Sequence, residues 1–312
     1  MQRAAHRPTA LVALATGLML AGCGVRPAAV TAPAVDSPAM VASRASTAPT
    51  SASPGRRRDA FRVLFIGNSL TAENDLPRLV AALSRVAGDD PPLEAASVAY
   101  GGFALEDHLV QGDAPRAIAQ GGWDVVILQQ GPSTLPESRV NLIEYTRRFD
   151  PLIKAVGART ALYGVWTDAS RMFAFDDGIE SYRQAAAAVD GMLFPVALSW
   201  KQAWAREPSL PLYGGDQFHP SMLGTYMAAV MIYAELRDQS PVGLPSHISL
   251  PNFTYQVDAA QARICQEVAA EITGTRRRPG KPWGPRHPHA DQPWLPASPP
   301  GRTGAPAPED ID

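Results

Sequence analysis

Several signatures that would settle a function at once are missing from this sequence. It contains no G-x-G-x-x-G run and no P-loop pattern, so the glycine-rich cradles of dinucleotides and nucleoside triphosphates are both absent. No cluster of His, Cys and carboxylate residues has metal-ligand spacing, and no cofactor is expected. Charge of one sign is also lacking. The 28 Lys and Arg nearly balance the 30 Asp and Glu, for a formal net charge of -2, which gives no basis for a nucleic-acid partner. The two "RRR" runs, at 56–58 and 276–278, each flank a Pro-rich segment and read as solvated boundaries. No period of 20–50 residues recurs, which excludes a repeat architecture. Cysteine is nearly absent: there are only Cys23 and Cys265.

What is present at the ends concerns location. Arg3, His6 and Arg7 precede the apolar stretch "ALVALATGLML", which is too short to span a bilayer comfortably. It runs into "LAGC", Leu20 to Cys23, which resembles the bacterial lipoprotein lipobox. That resemblance implies cleavage before Cys23 and a diacylglyceryl group on its sulfur, so that residues 1–23 are a signal and the protein is exported and anchored to the cell envelope. Lipidation of Cys23 would leave one thiol and no intramolecular disulfide. Cys265 lies in the helical pattern "DAAQARICQEVAAEI" and suits a buried apolar position. Residues 24–59, rich in Ala, Pro, Ser and Thr, read as a disordered tether, and residues 275–312 as a disordered Pro-rich tail. His287 and His289 in that tail lack a third metal ligand.

Residues 60–274 alternate between two periods. Strand-like runs fall at 62–67, 93–100, 124–129, 159–166 and 192–197. Helical patterns separate them at 75–88, around 105–120, at 138–157 and at 178–191, and two more follow at 221–239 and 258–272. Five strand–helix alternations predict a five-stranded parallel sheet with helices on both faces, a three-layer α/β/α domain of flavodoxin-like kind. Reactive groups in such sheets gather at the carboxyl ends of the strands.

The first strand, "RVLFIG", ends at "NSLT", which places Ser69 at such an end. A nucleophilic Ser needs a base within hydrogen-bond reach and an acid to orient that base. "YGGDQFHPS" supplies both, with Asp216 three positions before His219. Trp123, Trp166, Trp200 and Trp204 fit either a sugar-stacking surface or ordinary packing.

These segments resemble the SGNH (GDSL-type) hydrolases over about residues 61–240. "GNSLT" is similar to the family's first block, with Ser69 at the nucleophile, and "DQFHPS" to its last, with Asp216 and His219 as triad acid and base. "AYGGFAL" stands where a Gly N–H serves the oxyanion hole; Gly101 and Gly102 both fit, and Gly102 is preferred. Two positions depart from the pattern. Asn68 replaces the usual Asp, and "LQQGPST" replaces the third block and its Asn. Gln130 is favoured as the substitute oxyanion donor over Gln129 and Ser133.

The resemblance implies an exported serine hydrolase that cleaves carboxylic esters through an acyl-enzyme. Its oxyanion hole would be formed by Ser69, Gly102 and Gln130. Connections between elements are short, apart from about 205–215, and leave no long insertion to build a lid over an acyl channel, which favours small acyl groups such as acetyl on a small-molecule, lipid or glycan ester. The alternatives are an O-acyltransferase acting on envelope glycans and a non-catalytic binding lipoprotein that keeps the fold.

Overall fold

The computed structural model describes residues 59–274. The signal, the Cys23 lipobox, nearly all of the tether, the tail, and His287 and His289 therefore lie outside the described residues.

Phe61–Gly67 forms β1, whose residues from Val63 to Ile66 are buried on both faces. It pairs in parallel with β2 (Leu93–Ala99) on one side and β3 (Val125–Leu128) on the other. Next come β4 (Arg159–Tyr163) and β5 (Met192–Phe194), giving one parallel sheet in the order β2-β1-β3-β4-β5. Val63, Leu64, Ile66, Val125, Val126 and Leu128 are almost inaccessible. Each such side chain contributes about 1.5–3 kcal/mol by leaving water.

The strand order sets the layers. The chain steps outward from β1 to β2 and then returns past β1 to β3, so right-handed crossovers put the two connections on opposite faces. The first carries α1 (Ser69–Ala72) and α2 (Leu76–Val86). The return carries α3 (Leu105–Gln111) and α4 (Asp113–Ala119), and the steps onward to β4 and β5 carry α5 (Pro136–Ala155) and α6 (Phe175–Ala187). Helices α4, α5 and α6 accordingly pack in sequence, while α2 packs against α8 (Met222–Arg237). Helix α8 is apolar on nearly every side, and α2, α7 (Val196–Arg206) and α9 (Ala259–Thr273) cover it. No described helix is long and apolar enough to cross a membrane.

Three details differ from the sequence expectation. The run at 192–197 is not one strand. Pro195 has no N–H for the ladder, β5 stops at Phe194, and Val196 opens α7. That helix carries Trp200 and Trp204 on one face, at i and i+4. The stretch around 105–120 is two helices joined at Gly112. A hairpin, β6 (His247–Leu250) and β7 (Phe253–Gln256), joins α8 to α9 through a two-residue Pro251–Asn252 turn. Trp123, Trp166 and Trp200 pack inward, Trp166 and Trp200 stacked with centroids 3.7 Å apart, and Trp204 is half-buried. Cys265 is buried as well, and burial pushes its thiol up to about 12.

Candidate active site

The end of β1 turns sharply because its neighbours leave no room for a side chain. A Cβ on Gly67 would lie 2.3 Å from Thr71 Oγ1 and 2.4 Å from Gln129 Oε1. Gln129, immediately after β3, is fully buried and ties this turn together. Its Oε1 accepts from the Asn68 N–H (2.9 Å) and the Thr71 hydroxyl (2.7 Å). Its Nε2 donates to Asn68 Oδ1 (2.9 Å) and to the carbonyl of Gln130 (2.6 Å). Asn68 caps α1 by accepting from the Leu70 N–H, and its amide donates to the Phe103 carbonyl 3.1 Å away. Ser69 is thus held at the head of α1 at the β1/β3 edge, where the order of the parallel strands reverses.

The other two residues arrive on the loop before α8. His219 Nε2 is 2.8 Å from Ser69 Oγ, and His219 Nδ1 is 2.5 Å from Asp216 Oδ2. The three-residue spacing works because Asp216 folds the loop around its own carboxylate. Oδ1 accepts the N–H groups of Phe218 (3.0 Å) and His219 (2.9 Å), which leaves Oδ2 for the ring. The His219 hydrogen bond, aided by that from the Phe218 N–H, holds the Asp216 carboxyl down at about 2. Asp216 is therefore ionised in the folded protein until the pH falls toward that value. The loop is anchored from outside. Trp166 Nε1 donates to the Phe218 carbonyl (2.9 Å), and Asn74 Nδ2 donates to the Pro220 carbonyl (3.0 Å). Neither anchor carries a sequence signal beyond a buried indole and a turn Asn.

Gly102 sits in the Tyr100–Phe103 turn, closed by a 3.2 Å bond from the Phe103 N–H to the Tyr100 carbonyl. Its φ of +76° at the third position is that of a type II turn, which requires Gly. Gly102, unlike Gly101, lines a cleft of about 470 Å³ together with Ser69, Gln130, Ser133, Asn141 and Arg171. Among the described residues the N–H groups of Ser69 and Gly102 donate to no protein acceptor. The Gln130 side chain reaches the same cleft with its amide partly engaged. Oε1 accepts from the Leu105 N–H (3.1 Å), and Nε2 donates to Ser133 Oγ at 3.0 Å and to Asn141 Oδ1 at a long 3.4 Å. Tyr182, buried against the Gln130 backbone, fixes this segment by donating to the Gln130 carbonyl (2.6 Å).

Beneath the Ser69 turn is a residue that no sequence motif marks. His108 on α3 is buried, and its ring packs against Tyr100 and Phe103. Its Nε2 is 2.7 Å from the Gly67 carbonyl, while Nδ1 is buried without a partner among the described residues. The ring is therefore neutral, with Nε2 carrying the proton it donates. Burial lowers its pKa below the usual 6.5, against the opposing effects of the Gly67 carbonyl and the Asp107 and Asp113 carboxylates. The sign follows directly. The unfolded chain binds a proton near pH 6.5 that the folded chain refuses, so this contribution is complete above that pH and is lost as pH falls toward the folded value. The denaturation midpoint is expected to drop between pH 7.5 and pH 5, and His108→Gln, less stable at pH 7.5, should show a shallower drop. Equal slopes in urea titrations of both proteins would contradict the assignment.

No protein-family model matches the sequence, and no curated protein matches it either. Solved structures do. The chain is similar to a protein from Slackia heliotrinireducens classed with the SGNH hydrolases, at 26% identity and a TM-score of 0.48, over 57% of this chain and 99% of that one. It is similar to a DUF4886 family protein from Bacteroides uniformis at 17% identity and a TM-score of 0.53, over 70% of this chain and 97% of that one. A variant of Axe2, an acetyl-xylooligosaccharide esterase from Geobacillus, matches at 16% identity and a TM-score of 0.45, over 56% of this chain and 94% of that one. The likeness to the Bacteroides protein is one of fold alone.

Proposed function

We propose that the protein is an exported serine esterase that hydrolyses short-acyl carboxylic esters, anchored to the cell envelope through a lipidated Cys23. One observation carries the catalytic part. Ser69, His219 and Asp216 form an unbroken hydrogen-bonded series, and the Ser69 and Gly102 N–H groups, without acceptors among the described residues, belong to the cleft that Ser69 lines.

Ser69 Oγ attacks the ester carbonyl carbon as His219 Nε2 accepts its proton. The carbonyl oxygen becomes an oxyanion and accepts from the N–H groups of Ser69 and Gly102. Asp216 accepts from Nδ1–H, which fixes the tautomer leaving Nε2 free as a base, and stabilises the imidazolium that forms. Collapse of the tetrahedral adduct breaks the bond to the alkoxide, which takes the proton from Nε2 and leaves as alcohol. Water then attacks the acyl carbon as Nε2 takes its proton, and collapse breaks the bond to Ser69 Oγ, which recovers that proton from Nε2 as the carboxylic acid leaves.

Gln130 is the third donor in this reading. Its 3.4 Å bond to Asn141 is the weakest it makes and can be exchanged for an oxyanion once one forms. Gln130→Ala is expected to lower kcat on the order of 10²-fold with KM little changed, whereas Ser133→Ala, which removes one acceptor of Nε2 and the local bond to the Gly131 carbonyl, costs much less. The reverse order of effects would assign the donor to Ser133.

Hydrolysis of p-nitrophenyl acetate by the purified protein tests the proposal, run with and without a sugar acceptor. Acetate release insensitive to the acceptor supports a hydrolase, transfer to the sugar indicates an acyltransferase, and no turnover contradicts both.

A further inference from the structure

The cleft carries a single formal charge. Of the side chains that line it, Arg171 alone is charged; its neighbours Thr134, Ser138 and Asn141 are neutral hydrogen-bonding groups. The guanidinium donates from Nη2 to Thr134 Oγ1 (2.9 Å) and forms no ion pair with a carboxylate among the described residues. The nearest acid in sequence, Asp168, is turned away, accepting from the N–H and hydroxyl of Ser170. A guanidinium has five donors in a fixed fork, and one bond to a hydroxyl leaves most of them for a ligand.

The loop that holds Arg171 fixes which half of an ester it meets. Its Ala169 N–H donates to the Gln217 carbonyl (2.9 Å), and Tyr213 Oη donates to the Thr167 carbonyl (2.6 Å). The backbone of the Arg171 loop is therefore tied to the His219 loop, from which its guanidinium reaches Thr134, and Phe218 of the His219 loop also lines the cleft. Asn68 and Gly102, joined through the Phe103 turn, make the other side. Because His219 protonates the departing alkoxide, the alcohol half must lie on the His219 side, with the oxyanion directed toward Gly102.

We infer that Arg171 binds an anionic group on the alcohol half of the substrate, so the natural substrates are acyl esters of negatively charged hydroxy compounds. This rests on the esterase reading above. A carboxylate or similar oxyanion would replace water on the free guanidinium N–H groups, beside the Thr134 hydroxyl that the guanidinium already holds. The charge-assisted pairing forms in the ground state and in the transition state alike, so it acts chiefly on KM.

The test compares 4-acetoxybenzoate with the neutral 4-acetoxybenzamide, using the unchanged protein and Arg171→Gln. The ratio of the two kcat/KM values, taken between proteins, cancels the difference in leaving-group reactivity. Arg171→Gln is expected to lower kcat/KM for the benzoate about tenfold or more, mainly through KM, and to leave the benzamide within about twofold. Arg171→Lys should retain part of the preference. The benzamide rate also reports that the variant is folded. Equal losses on both esters, or no loss on either, would overturn the inference and leave the esterase reading standing. Turnover of neither ester by the unchanged protein would instead remove the esterase reading itself.

Discussion

Ser69→Ala is expected to lower kcat for p-nitrophenyl acetate on the order of 10⁴–10⁶-fold. The substitution deletes the one atom that forms the acyl bond, and nothing nearby can replace it. Neighbouring Thr71 is buried with its hydroxyl committed to Gln129, and Ser133 Oγ donates to the Gly131 carbonyl. The hydroxyl of Ser69 contributes little to the fold, since its hydrogen bond is to His219 on a partly exposed loop. Its removal should therefore leave the urea midpoint almost unchanged. What remains of the rate would come from oxyanion binding alone. Retention of the rate in a folded variant would mean that Ser69 is not the nucleophile.

Gln129→Leu is expected to be the most damaging change outside the triad. Leucine keeps the volume but removes the acceptor of two donors, the Asn68 N–H and the Thr71 hydroxyl, as well as the donor to Asn68 Oδ1. Each buried group left without a partner costs about 1–3 kcal/mol, so a loss of several kcal/mol is expected from denaturant titration. Activity should fall further than stability accounts for. The Asn68 carbonyl and side chain set the first turn of α1, and the Ser69 N–H points wherever that turn directs it. A variant that keeps wild-type kcat at a temperature where it is fully folded would show that the turn holds itself without Gln129.

The course of the chain was largely legible because β1 and β3 are apolar runs and the intervening helices keep their own period. A parallel sheet buries both faces of its inner strands, so those runs need no alternation to be recognised. What escaped was local. Pro195 lies inside an apolar run that resembles a strand, yet the chain turns into α7 there, and the 247–256 hairpin is too short for a periodic signal. In the site, Ser69, Asp216 and His219 were visible as residue types at turn positions. The supporting bonds were not. Gln129 and His108 act across 58 and 41 residues of sequence, through contacts that exist only after β1, β3 and α3 have packed. The residue proposed as third oxyanion donor was hard to read for a related reason. "LQQGPST" offers two amides and a hydroxyl in five residues, and only the fold directs Gln129 into the nucleophile turn and Gln130 into the cleft. Arg171 carries no motif at all; its meaning comes from the neutral residues around it.

The central claim is that Ser69 is a nucleophile activated by His219, and covalent trapping tests it most directly. The purified protein would be incubated with a fluorophosphonate, then digested and sequenced by mass spectrometry. The expected result is one adduct per chain, located on Ser69, formed rapidly by the unchanged protein and not detectably by His219→Ala. An adduct on another residue, or labelling of Ser69 at the same rate without His219, would contradict it.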